Sequence, residues 1–268
     1  GWWDLHQRFG KRPWAQLFDA PVQAASQGFA VAPVAAREWA LFQPVIARDA
    51  ASAALYRADA PPRAGERFDN PALARLLQAV AAQGPQAFYA GAIPAACAAA
   101  VQAAGGVLDT ADFGAHQGDF CTPVSTPFRG ATIYECPPNT HGVAVLHALA
   151  AMQNQAIDMA SAATQVALVQ AMEAAMAHAQ QTVADAAGNT VCTTVVDADG
   201  LAISLMSSVF KRFGSGIGVA EGGFVLQNRG HGFSQPGHIN GPAPGKRPYH
   251  TVVPGAATRD GQFLGVFG

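Results

Sequence analysis

The sequence predicts an α+β fold in which helices come first and strands follow. Up to Ala187 the chain is dominated by helix formers punctuated by glycine and proline, with one strand-like interruption. After Thr190 the apolar pattern changes from helical spacing to alternation. Strands and helices do not take turns as a doubly wound sheet requires, so the layered alternative is favoured.

The helical part opens on "PWAQLFDAPVQAASQGFA", where Pro13 suits a first helical position and Gly28 suits the residue after the last. A second helix is expected from about Ala35 to Tyr56. "APPRAGERFDN", from Ala60, is a loop, and "PALARLLQAVAAQG" and "PQAFYAGAIPAACAAAVQAAGG" follow as helical stretches with glycine ends. "FRGATIYECPPNT" reads as one strand stopped by a double proline. From His141 to Ala187 two helices are expected, broken near Asn154 to Ser161. "TVCTTVVD" and "LAISLMSS" then flank Asp199-Gly200, which supplies the left-handed conformations of a tight hairpin. "GFVLQN" and "HTVVPGAATRDGQFLGVF" complete the strands, the latter turning at Asp260-Gly261.

Composition removes several functional classes. Half of the 268 residues are apolar, enough for a substantial core, and only 13% are charged, with a formal net charge of -2. Lysine and arginine are scattered, which does not suit a nucleic-acid backbone. The longest apolar stretches, such as "VAVLHALAAM" from Val143, fall well short of the roughly 20 residues that span a bilayer. A soluble protein without nucleic-acid or membrane partners is therefore expected. Cys97, Cys121, Cys136 and Cys192 lie far apart with no C-x-x-C pair, so neither a zinc site nor a dense disulfide framework is indicated. This slightly favours the cytoplasm over the periplasm. "GWWDLHQRFG" has neither an initiator Met nor a signal-peptide pattern, so residues ahead of Gly1 are expected and the compartment stays open.

Most candidate chemistry has an ordinary explanation. "FGSGIGVAEGG", from Phe213, lacks the Gly-Lys-Ser/Thr ending of a phosphate loop. His231 and His238 stand in a Gly/Pro loop without acidic or Cys companions, so they read as loop histidines. Asp197, Asp199 and Asp260 are turn formers, and Met152, Met159, Met172 and Met176 read as core filler. No metal and no cofactor are expected. Thr190, taken alone, is an ordinary first residue of a strand.

The ordered segments "GWWDLHQRFGKRPWAQLFDAPVQAASQGFAV", "AAGGVLDTADF", "FRGATIYECPPNTHGVAVLHAL", "GNTVCTTVVDADG", "FGSGIGV", "GGFVLQNRGHGFS" and "PGKRPYHTVVP" resemble the γ-glutamyltransferase family of N-terminal-nucleophile (Ntn) hydrolases. "NRGHGFS" and "GKRPYHT" look closer to its γ-glutamyltransferase-like and cephalosporin-acylase-like branch. The resemblance implies a four-layer αββα sandwich, incomplete in this chain, made as a precursor that cuts itself between Asn189 and Thr190. Residues 1–189 would then form a large, mostly helical part and 190–268 a small, β-rich part, together one domain. After cleavage the pieces would stay together as an αβ heterodimer, or form a homodimer.

By the same resemblance Thr190 is the nucleophile and Ser208 its supporting hydroxyl, while Phe210, Arg229, Gly232, His250 and Thr251 fall at substrate-binding positions. A chain-terminal Thr carries its own base: an α-amine of typical pKa about 7.7–8.0 accepts the hydroxyl proton near neutral pH. The implied substrate is a small γ-glutamyl-like or acyl amide. Phe210 stands where typical members have Asn, Gly232 where they have Asp, and His250-Thr251 where they have a Ser pair, so the receptor for an amino-acid end is altered and glutathione is disfavoured. Relative to the family the chain is also expected to lack an N-terminal part with a substrate-binding Arg, and to stop before the paired glycines of the oxyanion hole. The alternative function is a catalytically silent member or fragment acting as a binding or scaffold domain.

Overall fold

A computed structural model describes residues 1–182 and 189–268, with Asn189 and Thr190 described by their backbone. Helix α1 (Trp2–Phe9) leads into a 3-10 turn (Trp14–Phe18) and α2 (Asp19–Gln27), which ends at Gly28 with φ 77. Strand β1 (Phe29–Ala30) pairs antiparallel with β2 (Arg67–Phe68). Between them the single helix expected over 35–56 is three: α3 (Pro33–Leu41), α4 (Gln43–Ile46) and α5 (Ala50–Leu55). Pro44 ends the first, because it cannot donate to the preceding turn. Asp49 starts the last, its carboxylate accepting the Ser52 N–H at 2.8 Å.

Helices α6 (Pro71–Gln83), α7 (Gln86–Tyr89), α8 (Ala92–Ala103) and α9 (Thr110–Ala115) follow. Asn70 caps α6 by accepting the Leu73 N–H, and a reciprocal Asp109–Asp112 box caps α9.

The chain forms two compact units, residues 1–119 with 212–227, and 120–211 with 228–268. In the first, two caps serve twice. Asp49 Oδ1 also accepts the Gly218 N–H at 2.9 Å, and Asn70 Nδ2 donates to the Gly223 carbonyl at 2.7 Å. These bonds bring the late segment 212–227 onto the early helices. Its short pair β7 (Gly218–Val219) and β8 (Phe224–Val225) is numbered after the strands of the second unit, which precede it in the chain. Trp39, Phe68, Tyr56 and Phe213 form an aromatic core, Trp39 Nε1 donating to the Tyr56 carbonyl at 2.7 Å. Leu76, Ile93, Cys97 and Val219 form a second core, where burial, and then the charge of Glu221, pushes the Cys97 thiol up to about 11.

The second unit starts with a hairpin where one strand was expected: β3 (Val124–Phe128) and β4 (Ala131–Glu135) turn at Arg129-Gly130, both left-handed at φ 52 and 78. Pro127 hid the first strand from the sequence reading. The sheet order β10-β9-β4-β3 puts that proline on an edge strand, where its missing N–H costs no internal ladder bond. Helices α10 (Gly142–Met152) and α11 (Ala162–Thr182) are the expected pair, broken where predicted, and Ala144, Ala148, Ala175 and Ala179 make their contact. The expected extension over 183–187 lies outside the described residues. Met152 and Met176 fill the core as expected; Met159 and Met172, 64% and 40% exposed, do not.

Strands β5 (Asn189–Val196) and β6 (Ala202–Phe210) form the predicted hairpin. Asp197 Oδ1 accepts the N–H groups of Asp199 and Leu201, and Gly200 at φ 82 closes the turn. β9 (Gly255–Arg259) and β10 (Gln262–Phe267) turn at Asp260-Gly261, also as expected, although 250–254 are not strand. Ser204 Oγ donates to the Phe267 carbonyl at 2.7 Å, joining the hairpin to the end of β10.

At the end of β4, Glu135 is 1% exposed and both carboxyl oxygens are buried without a hydrogen-bond partner among the described residues. Two glycines make room for it: a methyl at Gly142 would lie 2.6 Å from Oε2, and one at Gly255 would lie 2.9 Å from Oε1. Burial alone pushes this carboxyl up to about 7. A folded-state value above the unfolded one means that stability is full below about pH 4.5 and is lost as pH rises toward and past 7. Glu135→Gln, which cannot ionise, is therefore expected to flatten this loss and gain about 1–3 kcal/mol over the parent at pH 8, with little difference at pH 5. Thermal unfolding of both proteins at the two pH values checks it.

Candidate active site

The hairpin register gives Thr190 an unusual place. Asn189 pairs with Phe210 and Val191 pairs with Ser207, so Thr190 alone stands opposite two residues, Ser208 and Val209. This is a β-bulge on β6, a device that breaks the ladder locally and re-aims side chains beside functional sites.

Around the bulge β6 bends into its continuation. Ser208 Oγ accepts the Phe210 N–H at 2.9 Å, and Phe210 holds φ 76, a conformation that costs a non-glycine residue on the order of 1 kcal/mol or more. Asn228 then locks the returning chain onto the strand end, its N–H donating to the Val209 carbonyl at 3.1 Å and its Oδ1 accepting the Lys211 N–H at 3.0 Å. The 3-10 turn Arg229–Gly232 starts from this clamp.

Arg229 is buried, its guanidinium carbon 4.0 Å from the centre of the Phe210 ring, a desolvated cation–π contact. Its Nη1 donates to Thr251 Oγ1 at 3.4 Å. Burial lowers the Arg229 pKa from its ordinary value. His250, on the same strap as Thr251, is pushed down to about 4, first by burial and then by the charge of Arg229, so its imidazole is neutral near pH 7. The strap is held by two consecutive backbone groups: the Tyr249 N–H donates to Asn240 Oδ1 at 2.9 Å, and the His250 N–H donates to the Asn139 carbonyl at 2.8 Å. Asn240 Nδ2 also donates to the Gly232 carbonyl at 2.6 Å, which ties the 3-10 turn to the same strap. Tyr249, almost wholly buried, hydrogen-bonds through its hydroxyl to His141 Nδ1, and burial lowers the His141 pKa.

The structure thus gathers Phe210, Arg229, His250 and Thr251, places Ser208 at the bulge, and brings Gly232 in through Asn240. Asn189 and Thr190 join by backbone register. Sequence reasoning missed Asn228, Asn240, Tyr249 and Lys211, and took His231 for a plain loop residue. Lys211 Nζ hydrogen-bonds to His231 Nε2 at 2.7 Å, and the His231 ring lies 6.3 Å from that of Phe210. The strand reading that stopped at Ser208 hid this pair, because β6 in fact runs to Phe210. Among the described residues no group of three or more His, Cys, Asp or Glu is placed to hold a metal.

The description "Gamma-glutamyltranspeptidase" belongs to the family model that matches residues 1–191 and 186–268 of the chain. The chain belongs to the gamma-glutamyltranspeptidase family. Among members of the family, the glutathione hydrolase-like YwrD proenzyme of Bacillus subtilis is 27% identical over 97% of this chain and 57% of its own length. The oxamate amidohydrolase proenzyme of Klebsiella pneumoniae is 31% identical over 76% of this chain and 46% of its own length. The chain spans about half the length of these curated relatives. A cephalosporin acylase from Bacillus halodurans superposes with a TM-score of 0.90 at 26% identity, over 100% of this chain and 57% of that one. The expected α+β class and Ntn-hydrolase family fold hold in this comparison.

Proposed function

We propose that the chain carries the nucleophile-bearing part of an amidohydrolase or acyltransferase of this family, which cuts itself at Asn189-Thr190 and then uses Thr190 on a small γ-glutamyl-like or acyl amide. The bulge carries the proposal: it singles out Thr190, by register alone, as the residue facing Ser208 and Val209. Two relatives named as proenzymes, one of them an oxamate amidohydrolase, support it.

In the first stage the Thr190 Oγ attacks the Asn189 carbonyl carbon. The C–N bond breaks as the proton passes to nitrogen, and the acyl group moves to oxygen. Water then hydrolyses this ester, leaving Asn189 with a carboxylate and Thr190 with a free α-amine. In the second stage that amine takes the Thr190 hydroxyl proton as the oxygen attacks the substrate amide. The leaving amine departs with the proton, and water or an acceptor amine resolves the ester. Ser208, bonded to the Phe210 N–H, positions the strand opposite the nucleophile, and Phe210, Arg229, Gly232, His250 and Thr251 form the acyl-side wall. The two pieces, 1–189 and 190–268, then remain together as an αβ pair.

N-terminal sequencing of purified protein tests the cut: a Thr-Val-Cys-Thr start supports the proposal, and its absence after prolonged incubation favours the catalytically silent alternative. No described helix is long and apolar enough to cross a membrane.

A further inference from the structure

Two thiols that the self-cleaving chemistry does not use stand at the open end of the β3–β4 hairpin. Cys121 is exposed and Cys136 half-buried; both are free, and both belong to the second unit. The terminal pair of the ladder is Val124 with Glu135. One more rung in the same register sets Pro123 opposite Cys136. Cross-strand partners point to one face and side chains alternate along a strand, so Cys121, two residues before Pro123, shares the face of Cys136 as its diagonal neighbour. The sequence favours this extended course on both sides, because Thr122 and Cys136 each precede a proline, which disfavours the helical conformation for them. The ladder stops here for a related reason: Pro123 and Pro137 have no N–H to donate.

We infer that Cys121 and Cys136 form a redox site, which closes a reversible disulfide across the open end of the hairpin when it meets a low-molecular-weight disulfide. A diagonal pair lies about 7–8 Å apart between Cα atoms, slightly beyond the roughly 4.4–6.8 Å that a disulfide spans. Residues 121–123 lie outside the ladder and lead onto the edge strand β3, so the inward shift of about 1 Å that closure needs breaks no strand pairing. Burial first, then the charges of Cys121 and Glu135, push the Cys136 thiol up, which shows that the two thiols sense one another. Access and acidity divide the roles. The exposed Cys121 thiolate attacks one sulfur of the reagent, whose S–S bond breaks and releases a thiolate that takes up the Cys121 proton. Cys136 then attacks the Cys121 sulfur of this mixed disulfide, releasing the second reagent thiolate, which takes up the Cys136 proton. The two cysteines are oxidised and the reagent is reduced to two thiols. The bond ties down the root of the loop that holds the strap: the Cys136 carbonyl accepts from Thr140 Oγ1 at 2.8 Å, and the nearby Asn139 carbonyl accepts the His250 N–H at 2.8 Å.

The test treats the purified, reduced chain with 2-hydroxyethyl disulfide at mildly alkaline pH, without denaturant, and maps its peptides by mass spectrometry before and after reduction. A peptide pair joined through Cys121 and Cys136 is expected within single chains, and it is expected to disappear on treatment with dithiothreitol. The linked form is expected to melt about 5 °C above the reduced one, because the bond closes a loop of about 15 residues in the unfolded chain. Cys121→Ser, a change at an exposed position, is expected to match the reduced parent in thermal unfolding and to show neither the link nor the shift after the same treatment. Capping of Cys121 by the reagent without closure, a link to Cys97 or Cys192, a link between two chains, or no reaction would each overturn the inference, as would a linked form that melts no higher than the reduced one. Both cysteines precede Asn189-Thr190, so these readouts are independent of the cut and of amide turnover.

Discussion

Thr190→Ala is expected to remain one chain and to lower amide turnover by about four orders of magnitude or more, because it removes the attacking oxygen of both stages at once. Thr190→Ser keeps the hydroxyl and the α-amine and loses only a methyl, so it is expected to cut itself and turn over, more slowly than the parent. The pair separates loss of the nucleophile from damage to the bulge, since neither change alters the backbone pairing of Asn189 with Phe210 or Val191 with Ser207. Electrophoresis of each variant after long incubation, with an amide-release assay on the same samples, reads both effects. Cleavage in Thr190→Ala would place the nucleophile elsewhere.

Arg229→Met is expected to have the second largest effect. It keeps much of the volume beside Phe210 and deletes the charge, so it removes the cation–π contact and the bond to Thr251 while leaving a filled core. A desolvated contact of this kind with its hydrogen bond is worth on the order of 2–4 kcal/mol, which denaturant unfolding detects. A second readout has a definite sign. Arg229 is one of two causes that hold His250 low, and burial is the larger, so the His250 pKa should rise in the variant yet stay below its ordinary value of 6.5. An NMR titration of His250 that did not move would mean that the charge of Arg229 does not reach it.

The sequence was most legible where local chemistry decides the structure. Asp199-Gly200 and Asp260-Gly261 announced their hairpins because both turns need left-handed backbone that Gly adopts freely. The break between α10 and α11 was visible in the loss of helix formers near Asn154. Legibility failed where a distant partner decides. Pro127 argues against a strand until the sheet order shows β3 at the edge. The division at Asp49 became intelligible only with Gly218, its second hydrogen-bond partner far along the chain.

The candidate site divides in the same way. Its family positions were found through ordered motifs, from Asn189 and Thr190 to Thr251, and composition alone gave none of them. The bulge opposite Thr190, the turned-back φ of Phe210 and the Lys211–His231 pair follow from strand register and from Asn228 clamping the chain, and neither leaves a periodic trace in the sequence. Glu135 is the reverse case: a carboxylate is ordinarily exposed, and the sequence does not mark the two distant glycines that pack against this buried one.

The intact mass of freshly purified protein, followed over days beside Thr190→Ala, tests the central claim most directly. The account predicts two masses that sum to the precursor plus one water, the smaller belonging to a piece that begins at Thr190, and a single mass for the variant. A single unchanged mass for the parent chain would contradict it.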